Sequence, residues 1–123
     1  MAWQFTDDRP IYTQIMEQIK LKIICGTYKA GEKLPSVRDL AAEASVNPNT
    51  MQKALSELER INLVYSQRTS GRFITEDITM INDMKKNLAK EQIKQFLYNM
   101  QKIGFTKTDT INLLKNIIDE EMN

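Results

Sequence analysis

The stretch from Leu34 to Ile61, LPSVRDLAAEASVNPNTMQKALSELERI, carries two short helical patterns separated by a turn, and the rest of the chain is organised around it. The Ser36 hydroxyl can accept from the backbone N–H three residues on, where Asp39 adds a carboxylate to the first turn, the spacing of a capping box. Val37, Leu40, Ala41 and Ala44 then recur at the interval of one helix face. Helical spacing lapses at Ser45 and Val46. Asn47 is a favourable N-cap and Pro48 suits the first helical position, so a second helix is predicted to start there. Its apolar set, Met51, Ala54, Leu55, Leu58 and Ile61, falls on one face and leaves Asn49, Thr50, Gln52, Lys53 and Ser56 pointing outward.

That outward face begins with short amides and hydroxyls rather than the Glu and Lys pairs of a solvated helix. Asn and Gln pair bidentately with adenine in the major groove, Thr contacts bases or phosphate, and Lys meets guanine or phosphate. An ordinary polar surface explains the same residues equally well, and the next segment, itself open to reading as a plain surface hairpin, shifts the balance toward DNA. Leu63–Gln67 and Arg72–Thr75 are short β-prone runs around Arg68-Thr69-Ser70-Gly71, and they predict a hairpin with a basic tip. A helix-turn-helix followed by such a hairpin is a winged helix, with Arg68 and Arg72 flanking a tip that can reach phosphate or the minor groove. Arg38 lies in the first turn of its helix, where free N–H groups and the helix dipole already favour an anion. It is badly placed for helix stability and well placed to grip phosphate, the alternative being an ion pair with Asp39 or Glu43.

Residues 10 to 75 resemble the DNA-binding domain of GntR-family bacterial transcription regulators. The matching residues are Pro10-Ile11-Tyr12 with Gln14-Ile15, Gly26, Gly31, Leu34 to Ala41, Val46-Asn47-Pro48-Asn49-Thr50, Ala54-Leu55, Leu58-Glu59 and Gly71-Arg72-Phe73-Ile74. The Pro-Ile-Tyr opening, the Val-Asn-Pro-Asn-Thr turn and a short helical tail are similar to the YtrA-type branch of that family. The resemblance implies DNA contacts from Ser36, Arg38, Asn47, Asn49, Thr50 and Gln52, to which the reading of the residues adds Lys53, Arg68, Gly71 and Arg72. The wing departs from the family's Arg-x-Gly-x-Gly-Thr-Phe pattern, since Thr69-Ser70-Gly71-Arg72 keeps a single glycine, and this bears on how deeply the wing reaches.

At 123 residues the chain holds one compact domain and an appendage. Charged residues make up 27% and hydrophobic residues 41%, so a folded protein is expected. No run approaches the roughly 20 apolar residues that cross a bilayer, and the N-terminus has no signal-peptide pattern; a cytoplasmic protein is expected. Cys25, the only cysteine, is read as a small core hydrophobe, with a redox-sensing thiol as the alternative. Trp3 and Phe5 in the N-terminal arm are expected to pack on the domain or on a partner subunit. A first helix is expected over Ile11 to Cys25, with Tyr12, Ile15, Met16, Ile19 and Ile23 as its stripe and Gly26 as its stop. Leu34 is a candidate short strand beside the wing.

Beyond Thr75, Glu76-Asp77-Ile78 reads as a hinge and the remainder as helix. Ile81, Met84, Leu88, Ala89, Ile93, Phe96, Met100 and Ile103 form one stripe, Gly104 ends it, and Thr106 with Asp109 makes a second capping box. Ile111, Leu114, Ile117 and Ile118 line a last helix. Two stripes of this length cannot cover each other, so a symmetric dimer is expected to bury Ile81, Met84, Leu88, Ile93, Phe96, Met100, Ile103, Ile111, Leu114 and Ile118, the alternative being packing against the winged helix of the same chain. Four of seven methionines, Met80, Met84, Met100 and Met122, lie in or beside this tail; they suit an adaptable interface or a pocket for a small-molecule effector.

The expected fold is therefore mainly α with a small β-hairpin: an N-terminal winged helix-turn-helix over residues 1–76 and a two-helix C-terminal dimerisation tail over residues 77–123. The absence of His, of a Cys–His pair, of a Gly-rich phosphate loop and of acidic metal-ligand spacing argues against an enzyme, a metal or a cofactor. Net charge gives weaker support for DNA: it is +1 overall, and residues 1 to 78 hold ten basic and ten acidic residues. The expected function is a DNA-binding transcription regulator, by family precedent a repressor, that reads an inverted-repeat operator as a homodimer. The alternative is a winged helix used for protein or RNA interaction.

Overall fold

The computed structural model describes residues 3–121, and Met122 of the tail lies outside them. Helix α1 (Ile11–Ile24) follows Pro10, whose fixed φ suits a helix start but whose side chain caps nothing. It buries Ile15, Ile19 and Ile23, whereas Tyr12 and Met16 of the expected stripe are half-buried. In their place Gln14 is buried, because the N-terminal arm folds across this turn of the helix. The Gln14 amide donates to the carbonyls of Thr6 and Arg9, both at 2.9 Å, and its oxygen accepts from the Thr6 N–H at 2.8 Å. The arm thereby brings Trp3 into the core beside Lys22, whose ammonium lies 4.3 Å from the indole ring centroid. Cys25 is exposed and not in the core. The helix ends at Ile24 and the chain turns outward two residues later, at Gly26 with φ +84°, so the apolar periodicity ends before the thiol.

Helix α2 (Val37–Ala44) starts as its sequence requires, with Ser36 Oγ accepting from the Asp39 N–H at 3.1 Å. It ends at Ser45, which takes the left-handed conformation, and the N–H groups of Ser45 and Val46 close the helix on Ala42 and Ala41. Helix α3 (Pro48–Arg60) has Asn47 as N-cap, its side-chain oxygen accepting from the Asn49 N–H at 2.7 Å. Leu40, Met51, Leu55 and Leu58 from these two helices meet Ile15 and Ile19 of α1 in a fully buried cluster. Asn62 then turns the chain with φ +65°, a conformation Asn tolerates, and Leu63 enters the core.

Strands β1 (Val64–Gln67) and β2 (Gly71–Ile74) form the antiparallel hairpin, with Val64 opposite Ile74 and Gln67 opposite Gly71. The second strand begins one residue earlier than expected. A third segment joins its outer edge: Lys33 bridges Phe73, and the Leu34 N–H donates to the Arg72 carbonyl at 2.9 Å. The wing is thus tied into the loop that enters α2.

The chain divides into two compact units, Met1–Asn82 and Asp83–Asn123. Helix α4 (Ile78–Lys102) begins in the first and continues without interruption into the second, its start capped by Asp77, which accepts from the Met80 N–H at 3.0 Å. After Gly104, with φ +95°, the predicted capping box forms: Thr106 Oγ1 accepts from the Asp109 N–H at 3.1 Å and the Asp109 carboxylate from the Thr106 N–H at 3.4 Å. Helix α5 (Lys107–Glu121) follows and, among the described residues, packs little against α4. Leu88, Ile93, Phe96, Ile103, Ile111, Leu114 and Ile118 are all exposed, Ile103 by 69%.

Candidate nucleic-acid interface

Helix α3 turns its apolar set inward so completely that Met51, Ala54, Leu55 and Leu58 are at most 1% exposed, and the opposite face is left to Asn49, Gln52, Lys53 and Ser56, all exposed. Thr50 sits half-buried beside them. Gln52 donates to Ser56 Oγ at 3.2 Å, a bond between exposed groups that an incoming base edge can replace. Asn47 is committed through its oxygen to the cap, which leaves its amide N–H groups available. The Lys53 ammonium rests 4.0 Å from the centroid of the Tyr12 ring of α1, so the helix side toward α1 carries its positive charge.

The N-terminus of α2 opens on the same side of this unit as the wing. An open cleft of about 710 Å³ lies between them, lined by Lys33, Pro35, Ser36, Asp39, Ser70 and Arg72. Ser36 is exposed, and its hydroxyl proton is free because the oxygen serves as the acceptor of the cap. Arg38 is exposed and, among the described residues, pairs with neither Asp39 nor Glu43; Glu43 instead faces Lys22 at 3.9 Å. An unpaired guanidinium at a helix N-terminus raises the positive potential there and so attracts phosphate.

The two wing arginines differ. Among the described residues Arg68, exposed at the turn, has no ion pair, and Gly71 holds φ +111° where a Cβ would come within 3.3 Å of the Lys33 side chain. Arg72 lies off the tip, opposite Ser66 on the paired strand, and its Nε donates to Glu59 of α3 at 2.6 Å. Ser66 Oγ donates to the same carboxylate oxygen. Burial pushes the Glu59 carboxyl up, but the hydrogen bonds from Ser66 and Arg72 and the charge of Arg72 outweigh it, and the group is held below its ordinary value. Sequence reasoning gave Glu59 no role outside the family resemblance and placed Tyr12 only on the apolar stripe of the first helix, because the partners of both side chains are remote in the chain.

Residues 11–74 match the family model described as bacterial regulatory proteins, gntR family. The chain belongs to the GntR family. It is 42% identical to the HTH-type transcriptional repressor YtrA of Bacillus subtilis over 77% of this chain and 74% of that one. A GntR family transcriptional regulator from Listeria monocytogenes, 41% identical, superposes with a TM-score of 0.82 over 91% of this chain and 98% of its own. The DNA-binding domain of AraR in complex with operator ORX1 is 25% identical and superposes with a TM-score of 0.56 over 61% of this chain and 95% of that one. As a GntR regulator the protein acts on DNA through a winged helix and is not an enzyme. Among the described residues no helix is long and apolar enough to cross a membrane.

Proposed function

We propose that this GntR protein is a cytoplasmic transcription repressor that binds an inverted-repeat operator as a homodimer, with α3 in the major groove. The observation that carries the reading is the face of α3, where amide, hydroxyl and ammonium groups stand clear of a fully buried apolar side. Asn49, Thr50 and Gln52 read base edges, while Ser36, Arg38, Asn47 and Lys53 hold phosphates and the Gly71 turn lets Arg68 follow the backbone. The relative YtrA is named a repressor, and a small dimer represses most simply by occupying the site polymerase needs.

Dimerisation through the tail is supported by the exposed stripes of α4 and α5, which extend beyond what a monomer in water leaves uncovered. Two copies related by a two-fold axis would set their recognition helices one DNA turn apart, about 34–36 Å. The corner between α4 and α5 holds a cavity of about 340 Å³ lined by Leu97, Tyr98, Phe105 and Thr110, with Lys94 and Lys107 at its edge. It is the place an effector would enter, within the size range of small-molecule sites.

The test is selection of random duplexes by the purified protein at two salt concentrations, together with sedimentation of the free protein at micromolar concentration. An enriched inverted repeat and a dimer are expected. A monomer at every concentration would refute the dimer, and retention of unenriched duplexes alone would leave the winged helix to a protein or RNA partner.

A further inference from the structure

The hairpin is anchored at one residue from three directions. Arg72 pairs with Ser66 across the hairpin, its carbonyl accepts from the Leu34 N–H that leads into α2, and its guanidinium donates to Glu59 in the last turn of α3. The arginine and glutamate side chains are only 18% and 30% exposed, and Ser66 completes the acceptor shell of the shared carboxylate oxygen. Ten residues separate Glu59 from Asn49, about 15 Å along the helix axis, so this junction lies at the end of α3 away from the groups that read bases. The neighbouring Tyr65–Phe73 stack, with centroids 5.7 Å apart, stiffens the same strands. What projects beyond the junction is the turn that carries Arg68.

We propose that Arg72 is a positioning residue that makes no phosphate contact of its own: its ion pair with Glu59 sets the angle between wing and recognition helix, and thereby where Arg68 meets the backbone. This rests on the DNA-binding reading above. Neutralising a phosphate and neutralising Glu59 are competing uses of one guanidinium, and the short, sheltered geometry commits it to the second. Exchanging the two charges separates the possibilities, since a reversed pair restores an intramolecular clamp but places a carboxylate where a phosphate contact would need a cation.

The experiment compares Glu59→Arg, Arg72→Glu and the double exchange in the full chain, measuring affinity for the selected duplex at several salt concentrations and amide hydrogen exchange of the hairpin without DNA. Each single change is expected to weaken binding about tenfold and to speed exchange in β1 and β2, and the double exchange to recover affinity to within about threefold with an unchanged salt slope. A double variant that stays as weak as Arg72→Glu, with a slope shallower by about 0.9 per subunit, would overturn the proposal and make Arg72 a phosphate ligand. Hairpin exchange that is the same in all four proteins would overturn it independently of any DNA, so failure of the clamp and failure of the DNA-binding reading give different results.

Discussion

Replacing Arg38 with alanine should weaken operator binding without weakening the fold. The side chain is exposed, has no ion pair among the described residues and follows the cap residue of α2 by two positions, so its loss creates no cavity and leaves no buried partner unsatisfied. Removing a cation from the positive end of a helix is itself favourable by a few tenths of a kcal/mol, about 0.3 at an exposed site, so the thermal midpoint should stay level or rise slightly. A guanidinium–phosphate contact contributes about 1 kcal/mol net, and with one per subunit the dimer should lose about 30-fold in affinity. The salt dependence is the sharper readout. Each phosphate contact adds about 0.9 to the slope of log affinity against log salt, so two lost contacts flatten it by about 1.8, and raising salt from about 50 to about 200 mM should cost the variant about 12-fold less than the parent. Fluorescence anisotropy of a labelled operator across a salt series, paired with a thermal melt, measures both. An unchanged slope would refute the phosphate contact, and a lowered melting midpoint would mean that Arg38 serves the fold.

Asn47→Ala removes the cap of α3 and should cost about 1 kcal/mol, lowering the midpoint by roughly 4–8 °C as seen by circular dichroism. Gln14→Leu should release the N-terminal arm at a cost of about 2 kcal/mol, because three hydrogen bonds to backbone groups go at once. Trp3 is the only tryptophan, so a red shift of emission before global unfolding would report that release and an unshifted spectrum would contradict it. The Glu59 carboxyl is depressed in the folded protein, so its contribution to the wing is present above the unfolded glutamate value and lost as pH falls through the folded one. Hairpin amide exchange should therefore accelerate in acid below the usual glutamate range, about 4.3, and Glu59→Gln should abolish that pH dependence.

What could be read from the sequence was what local chemistry decides. Ser36, Asn47 and the Thr106–Asp109 pair mark helix starts through bonds that span two or three residues, Pro48 through its fixed φ, and each start lies where its cap puts it. The core of α3 follows from helical spacing, except that Ile61 of the expected set lies just past the helix as its C-cap and is only half-buried. Contacts between remote segments were out of reach. Gln14 is a polar residue on an otherwise apolar helix, and only an arm returning from Thr6 makes its burial tolerable. Cys25 continues an apolar pattern by one residue, but the turn at Gly26 carries it into solvent. The thirteen-residue separation of Glu59 and Arg72 corresponds to no regular spacing within one element, so the ion pair of a wing arginine with α3 shows only once the hairpin register is in hand.

The formal neutrality of the winged-helix half is resolved by the same geometry. Five of its ten carboxylates face particular cations: Asp8 and Glu17 face Arg9, Glu43 faces Lys22, Glu57 faces Arg60 and Glu59 faces Arg72. Among the described residues Lys20, Lys29, Lys33, Arg38, Lys53 and Arg68 are left without an ion pair, and of these Lys33, Arg38, Lys53 and Arg68 border the cleft, the start of α2, the outward face of α3 and the tip of the wing. A domain with no net charge can therefore present an edge richer in cations than in carboxylates, with Asp39 the carboxylate that lines the cleft. Four phosphate contacts give a salt slope of about −3.6 for one subunit and about −7 for two, so at physiological ionic strength a single winged helix would hold DNA weakly. The proposed dimer supplies the second set, and the exposed apolar stripes of the tail are then as necessary to operator binding as the residues that touch the bases. A variant that separates the subunits, with Ile93 and Phe96 both changed to aspartate, should retain the fold of the winged helix, lose about half the salt slope and lose specific binding with it.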